Sequence, residues 1–210
     1  MVSANRYDVE PFGRATGKAS LRAPFLLGTR LGVRVFAGGY LGSSSPLKQR
    51  RITIAGADPY ETFANPFLRS RGALFVRPDF HYHAPGNANL RAFRSDLGGR
   101  WAIGVNLEAT KPLLAPRRPG LLSSAALEAF LDLGVVDTLA VPSAPPGNAY
   151  TTLYDGGVGL VTRHRIRDLN WGFRLEFPFI VNRSDYAADW NGGLEGRVAF
   201  RWQISLESSF

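Results

Sequence analysis

The sequence predicts an all-β fold: an antiparallel transmembrane β-barrel, or the C-terminal part of one, with about eight meandering strands over residues 27–210. Three observations carry this. Apolar and polar residues alternate with period two in run after run, which places them on opposite faces of a strand. Stretches rich in Gly, Pro, Ser and Asn separate the runs. No run of about 18 apolar residues exists, so a spanning helix is excluded.

Residues 1–26 carry no clear pattern and are expected to be irregular. Met1 to Arg14 lacks the apolar core of a signal peptide, so the chain is expected to be the C-terminal part of a longer exported protein. The first strand sets Leu27, Thr29, Leu31, Val33 and Val35 against Gly28, Arg30, Gly32 and Arg34. A short strand follows at 50–55. At 73–83, Leu74, Val76, Pro78, Phe80 and Tyr82 oppose Phe75, Arg77, Asp79, His81 and His83. Pro78 cannot donate to a ladder and suits an edge or bulge. At 100–110, Trp101, Ile103, Val105, Leu107 and Ala109 face away from Arg100, Ala102, Gly104, Asn106, Glu108 and Thr110.

Segment 125–136 is also a strand. Ser123 to Leu133 is compatible with a helix, but its Leu-x-Leu alternation favours the strand. A further strand falls at 152–164. Trp171, Phe173, Leu175, Phe177 and Phe179 then oppose Asn170, Gly172, Arg174 and Glu176. The last strand sets Val198, Phe200, Trp202, Ile204 and Leu206 against Arg197, Ala199, Arg201, Gln203 and Ser205. Connections fall at Ser43–Pro46, Ala84–Asn87, Ala115–Gly120, Pro142–Asn148 and Asn182–Gly193.

The formal net charge is +8. The cations are scattered among apolar residues rather than gathered in an arm, so nucleic acid is not the expected partner. There is no cysteine, which excludes disulfides and thiolate metal sites. A soluble β-sandwich that binds acidic ligands would alternate too. Two features favour the barrel. Arg and Glu stand beside Gly and Ala on the polar faces, as a hydrated lumen requires, and the apolar faces carry large aromatics. A sheet in lipid must satisfy every backbone group, which closure achieves. Phe200, Trp202, Ile204 and Leu206, ending at Phe210, resemble the C-terminal signal by which bacterial outer-membrane barrels are recognised for assembly.

Enzyme chemistry finds little support. Asp79, His81 and His83 share a face, but His164 is the remaining histidine, so no metal site is expected. No Gly-x-Ser-x-Gly elbow is present. Gly156-Gly-Val-Gly159 lacks the Lys-Ser/Thr of a phosphate loop. Asn182-Arg-Ser184 is a glycosylation pattern in form only. No catalytic residue and no cofactor is expected.

Residues 50–210 resemble the barrel end of the BamA/TamA-like outer-membrane surface-antigen superfamily. Arg51-Ile-Thr-Ile-Ala-Gly56 is similar to the strand before the family's long sixth loop. Leu90-Arg91-Ala92-Phe93 is similar to that loop's hydrophobic-Arg-Gly-aromatic motif, with Ala92 in the glycine's place. Gly98 to Glu108 is similar to the next strand and its inward acid. Phe130-Leu-Asp132-Leu-Gly134 matches Phe-x-Asp-x-Gly. Asp155 to Leu160, followed by Trp171 to Pro178, is similar to the last-but-one hairpin.

The resemblance implies a bacterial outer-membrane barrel for protein assembly or translocation. Its partners would be outer-membrane lipid, the barrel assembly machinery and an unfolded or translocating polypeptide. It also implies that Arg91 folds into the lumen and pairs with Asp132 first and Glu108 next, since a guanidinium fork suits carboxylates. A barrel anchoring, or forming a pore for, a fused passenger is the alternative. Upstream POTRA modules would favour assembly, and an upstream catalytic domain the passenger.

Overall fold

The computed structural model describes residues 12–42, 51–55, 68–71, 81–83, 87–94, 97–114, 122–137, 150–166, 169–187 and 196–208. Among these residues eleven strands run in chain order: β1 Gly13–Pro24, β2 Arg30–Leu41, β3 Ile52–Thr53, β4 Leu68–Arg71, β5 His81–His83, β6 Gly98–Gly99, β7 Trp101–Leu114, β8 Leu122–Asp137, β9 Tyr150–Ile166, β10 Leu169–Val181 and β11 Gln203–Ser208. Every pairing among them is antiparallel. Nine form one sheet in the order β1-β2-β7-β8-β9-β10-β11-β4-β5, and β3 pairs with β6. The described sheet does not close on itself; β1 and β5 are its edges.

The structure corrects the expected order and bounds. Residues 13–24, expected to be irregular, form β1 and pair along their whole length with β2. Small and charged residues make up this strand, and its pairing partner supplies the order that its own sequence does not advertise. The meander is interrupted, because β4 and β5 lie beyond β11. In the last run only Gln203–Ser208 is strand; Val198 makes an isolated bridge to Ile180. Ser123–Leu133 lies within β8, as alternation favoured. The turn stretches at 43–46, 84–86, 115–120, 142–148 and 188–193 lie outside the described residues, as does Phe210.

The faces are inverted relative to a water-soluble sheet. On one side Val35, Ile103, Leu127, Leu131, Leu133, Tyr154, Val158 and Ile180 are exposed; on the other Asn106, Glu128, Asp132, Asp155, Glu176 and Gln203 are buried. Leu131 is 40% exposed while its neighbour Asp132 is 0%. An exposed apolar face above buried charge departs from the usual surface rule and calls for an explanation.

The buried side is concave and holds a folded-in segment. Residues 87–93 are buried throughout. Ile52, Ile54, Leu90, Phe93 and Leu97 pack with Phe36, Ala102, Val136, Leu153, Val181 and Tyr186 into the apolar core. Burying each such large side chain contributes about 1.5–3 kcal/mol. The connections at one end of the long strands are short (25–29, 115–121, 167–168), and those at the other end are long (42–100, 138–149, 182–202).

Candidate functional site

The site is built where the 87–94 loop meets β7 to β10. Two asparagines turn the loop: Asn87 and Asn89 have φ of 33° and 58°, a region their short polar side chains tolerate. Asn87 Nδ2 donates to Thr53 Oγ1 at 2.5 Å, and Arg34 donates to its carbonyl. Leu90 N donates to the Ile54 carbonyl at 3.0 Å, and Ile54 N to the Leu97 carbonyl at 2.9 Å. Asn106 Nδ2 spans two partners, the Asn89 carbonyl at 3.2 Å and Asp132 Oδ1 at 3.0 Å. Ala92 N donates to Asp155 Oδ2 at 3.1 Å. The buried loop therefore finds replacements for the water it has lost.

Arg91 is the tip. Its guanidinium is fully buried and pairs with Glu108 of β7. Nη1 lies 3.5 Å from Glu128 Oε1, and Nε lies 3.7 Å from Asp132 Oδ2 and 3.1 Å from Glu176 Oε1. Its plane sits over Phe130, 4.1 Å from the ring centroid, a favourable cation–π contact. Arg174 of β10 supplies a second cation, 3.3 Å from Glu108 Oε2 and 3.0 Å from Glu128 Oε2. Two guanidinium groups thus serve four carboxylates drawn from three strands. Such a cage is expensive to desolvate but tightly specified, because removing either sign strands the other.

Glycines make room for the loop. A Cβ on Gly104 would lie 2.6 Å from Ala88 Cβ, and one on Gly134 would lie 2.7 Å from Ile54 Cδ1. The two are direct register partners, so the concave face is hollowed where the loop presses.

At the end with long connections, the turn Ser184–Tyr186 clasps the loop. Phe93 bridges to Ala187, and Arg94 N donates to the Tyr186 carbonyl at 3.2 Å. Arg183 donates from Nε at 2.9 Å and Nη2 at 2.7 Å to the Asp185 carboxylate, holding that carboxyl below its ordinary range.

Among the residues singled out from sequence, Leu90, Arg91, Phe93, Glu108, Phe130, Asp132 and Gly134 gather at this one place. The C-terminal group stands elsewhere. Phe200 is exposed, with its ring 5.8 Å from that of Phe177. Trp202 and Ile204 are half-buried, and Leu206 is exposed. Glu128, Glu176, Arg174, Asn106 and Asp155 complete the site without having been singled out as partners. Alternation could have found them: Glu128 shares the face of Asp132, and Glu176 that of Arg174. His164 stacks on Trp171 at 4.3 Å between centroids. Among the described residues no metal-binding cluster occurs; Asp79 lies outside them.

Comparison with protein-family models, curated proteins and solved structures finds no match to this chain.

Proposed function

We propose that this chain is the barrel portion of an outer-membrane protein of the BamA/TamA-like kind, assembling or translocating polypeptides. In this reading the Arg91 loop is a lumen element. The inverted sheet carries the reading: aliphatic side chains are exposed on one face, and a carboxylate–guanidinium cage is buried on the other. Lipid accepts the first face, and a polar lumen accepts the second. Strands β2 and β7 to β10 have 12, 14, 16, 17 and 13 residues, above the roughly 9–11 that a tilted strand needs to cross a bilayer. Short connections at one end and long ones at the other are the usual asymmetry of such barrels. A two-sheet sandwich would bury its aliphatic face, and the exposed face gives no support to that alternative.

The test has two arms. The chain is expressed with an export signal and fractionated, and its migration is compared with and without boiling. It is expected in the outer membrane as a compact band that boiling unfolds. Liposomes carrying it are then expected to speed the folding of a denatured outer-membrane porin over empty liposomes. A water-soluble product overturns the membrane reading; a membrane product with no acceleration overturns assembly and leaves the anchor or pore.

A further inference from the structure

On the concave face one row of polar side chains runs straight across four strands. Arg34 of β2 stands opposite Asn106 of β7, Asn106 opposite Asp132 of β8, and Asp132 opposite Asp155 of β9. Hydrogen bonds follow the row. Arg34 Nη1 donates to Asn106 Oδ1 at 2.8 Å, and Asn106 Nδ2 donates to Asp132 Oδ1 at 3.0 Å. From the other end the Ala92 amide donates to Asp155 Oδ2 at 3.1 Å. The two series of donors run toward each other and meet at Asp132 Oδ2 and Asp155 Oδ1. Those two oxygens are buried and accept no hydrogen bond. Their carboxyls lie within hydrogen-bond reach of each other. An ionised carboxylate only accepts, so the junction holds two acceptors and no donor.

Among the described residues no cation closes this gap. Arg91 Nε is 3.7 Å from Asp132 Oδ2, longer than a hydrogen bond. The same guanidinium also serves Glu108, Glu128 and Glu176. Arg174 is held by Glu108 and Glu128. Arg201, the cation beside Asp155, gives its two Nη groups to the Phe179 and Gly196 carbonyls. Glu108 adds a further negative charge beside Asp132. Both aspartates are fully buried, where water does not screen two adjacent charges.

We propose that Asp132 and Asp155 bind one proton between them, and that this proton holds the Arg91 loop in place. A hydrogen shared by Asp132 Oδ2 and Asp155 Oδ1 gives both oxygens a partner. It leaves one negative charge where two would repel. The pair is braced against the loop on both sides. Ala92 N is bound to Asp155, and Asn106, bound to Asp132, also holds the Asn89 carbonyl. Loss of the proton to solvent sets two charges side by side. The Ala92 amide and Arg91 favour that charge, but neither donates to the two facing oxygens. Water relieves the repulsion only by entering where the loop stands. The docked loop therefore binds the proton more tightly than the undocked loop, and docking weakens as pH rises. This site goes beyond the membrane reading and does not depend on it.

The test uses the full chain folded in neutral detergent. Infrared spectroscopy separates a protonated carboxyl from a carboxylate, and at neutral pH exposed acids are ionised. The unaltered chain is expected to show a protonated-carboxyl band there. Asp132→Asn and Asp155→Asn are each expected to diminish it by the same amount, since an amide N–H takes the proton's place. Asp185→Asn is expected to leave it unchanged. A band that survives both substitutions, or yields to one alone, overturns the shared proton. Hydrogen exchange of residues 87–94, corrected for its intrinsic rise with pH, reads the loop. Protection is expected to fall as pH rises, by about tenfold per pH unit at its steepest, the slope of one proton. Asp155→Asn is expected to flatten that fall, and equal slopes in the two chains overturn the link. Protection lost to a metal chelator at neutral pH assigns the pair to a metal ion and overturns the proposal too. Should the variants not fold, the unaltered chain still decides: a band that disappears with rising pH while protection stays constant overturns it. A water-soluble chain that keeps the shared proton would sink the membrane reading while leaving this site standing.

Discussion

The hairpin β1–β2 and the arc β7–β10 alternate in the same way, yet their inner faces differ. In the arc Glu128, Asp132, Asp155 and Glu176 are buried; in the hairpin Lys18, Ser20 and Arg22 are exposed. Strand sequence does not separate them, since both place charge on the concave side. The folded-in loop does. It rests on the arc and reaches the hairpin from its middle to its long-connection end: Arg34 donates to the Asn87 carbonyl, Arg14 Nη2 donates to Asn87 Oδ1 at 3.2 Å, and Phe36 joins the core. Burial on this face is imposed by what covers it, and charge survives there only where a counter-charge arrives with the cover.

The largest test of that contrast is Arg91→Leu. It leaves Glu108, Glu128 and Glu176 to Arg174 and Asp132 to the neutral Asn106, and should cost about 3–5 kcal/mol. Lys18→Leu on the hairpin should stay within about 0.5 kcal/mol. Urea midpoints in detergent read both, and similar shifts would erase the distinction between arc and hairpin.

Next comes Gly104→Val. Its side chain would collide with Ala88 and push the loop off the arc, costing about 1–3 kcal/mol. Gly17→Val, with nothing within 4 Å, should be close to neutral. Protease cleavage within 87–94 should appear in the first variant and not in the second; protection in both would mean the loop does not need the hollow.

The smallest effect is at the clasp. Asp185 has its carboxyl lowered by Arg183, so the pair stabilises the turn above the ordinary carboxylate range. That contribution fades as pH falls through the lowered value. Being half-exposed, it is worth a few tenths of a kcal/mol. Asp185→Asn should remove this part of the acid dependence of amide exchange at Tyr186 and Ala187; an unchanged profile would locate the dependence elsewhere.

The strands of the arc were legible in the sequence because their alternation is unbroken. Trp101 to Ala109 and Trp171 to Phe179 set the faces, and the short Leu90-Arg91-Ala92-Phe93 run marked the loop tip. β1 was not legible, because Gly13–Pro24 has little apolar alternation and gains its order from β2. Glu128 escaped notice because its neighbours Ala126 and Phe130 make that face look apolar. Glu176 was seen on the polar face of its strand, but nothing local says that an arginine 85 positions earlier will reach it. Pairings at that separation are set by how the sheet curves, which a one-dimensional pattern does not encode.

The Arg91 loop also bears on the order of events in time. Strands β7 to β10 follow one another as consecutive hairpins, so their pairing is local and fast to nucleate. The Ala92–Asp155 hydrogen bond joins residues 63 positions apart, and the Arg91 cage is complete only once β10 is in place. The cage can close only on an arc already formed, so its contacts are expected on the native side of the rate-limiting barrier. A substitution at Arg91 should then leave the speed of folding almost untouched and appear as a shorter lifetime of the finished fold.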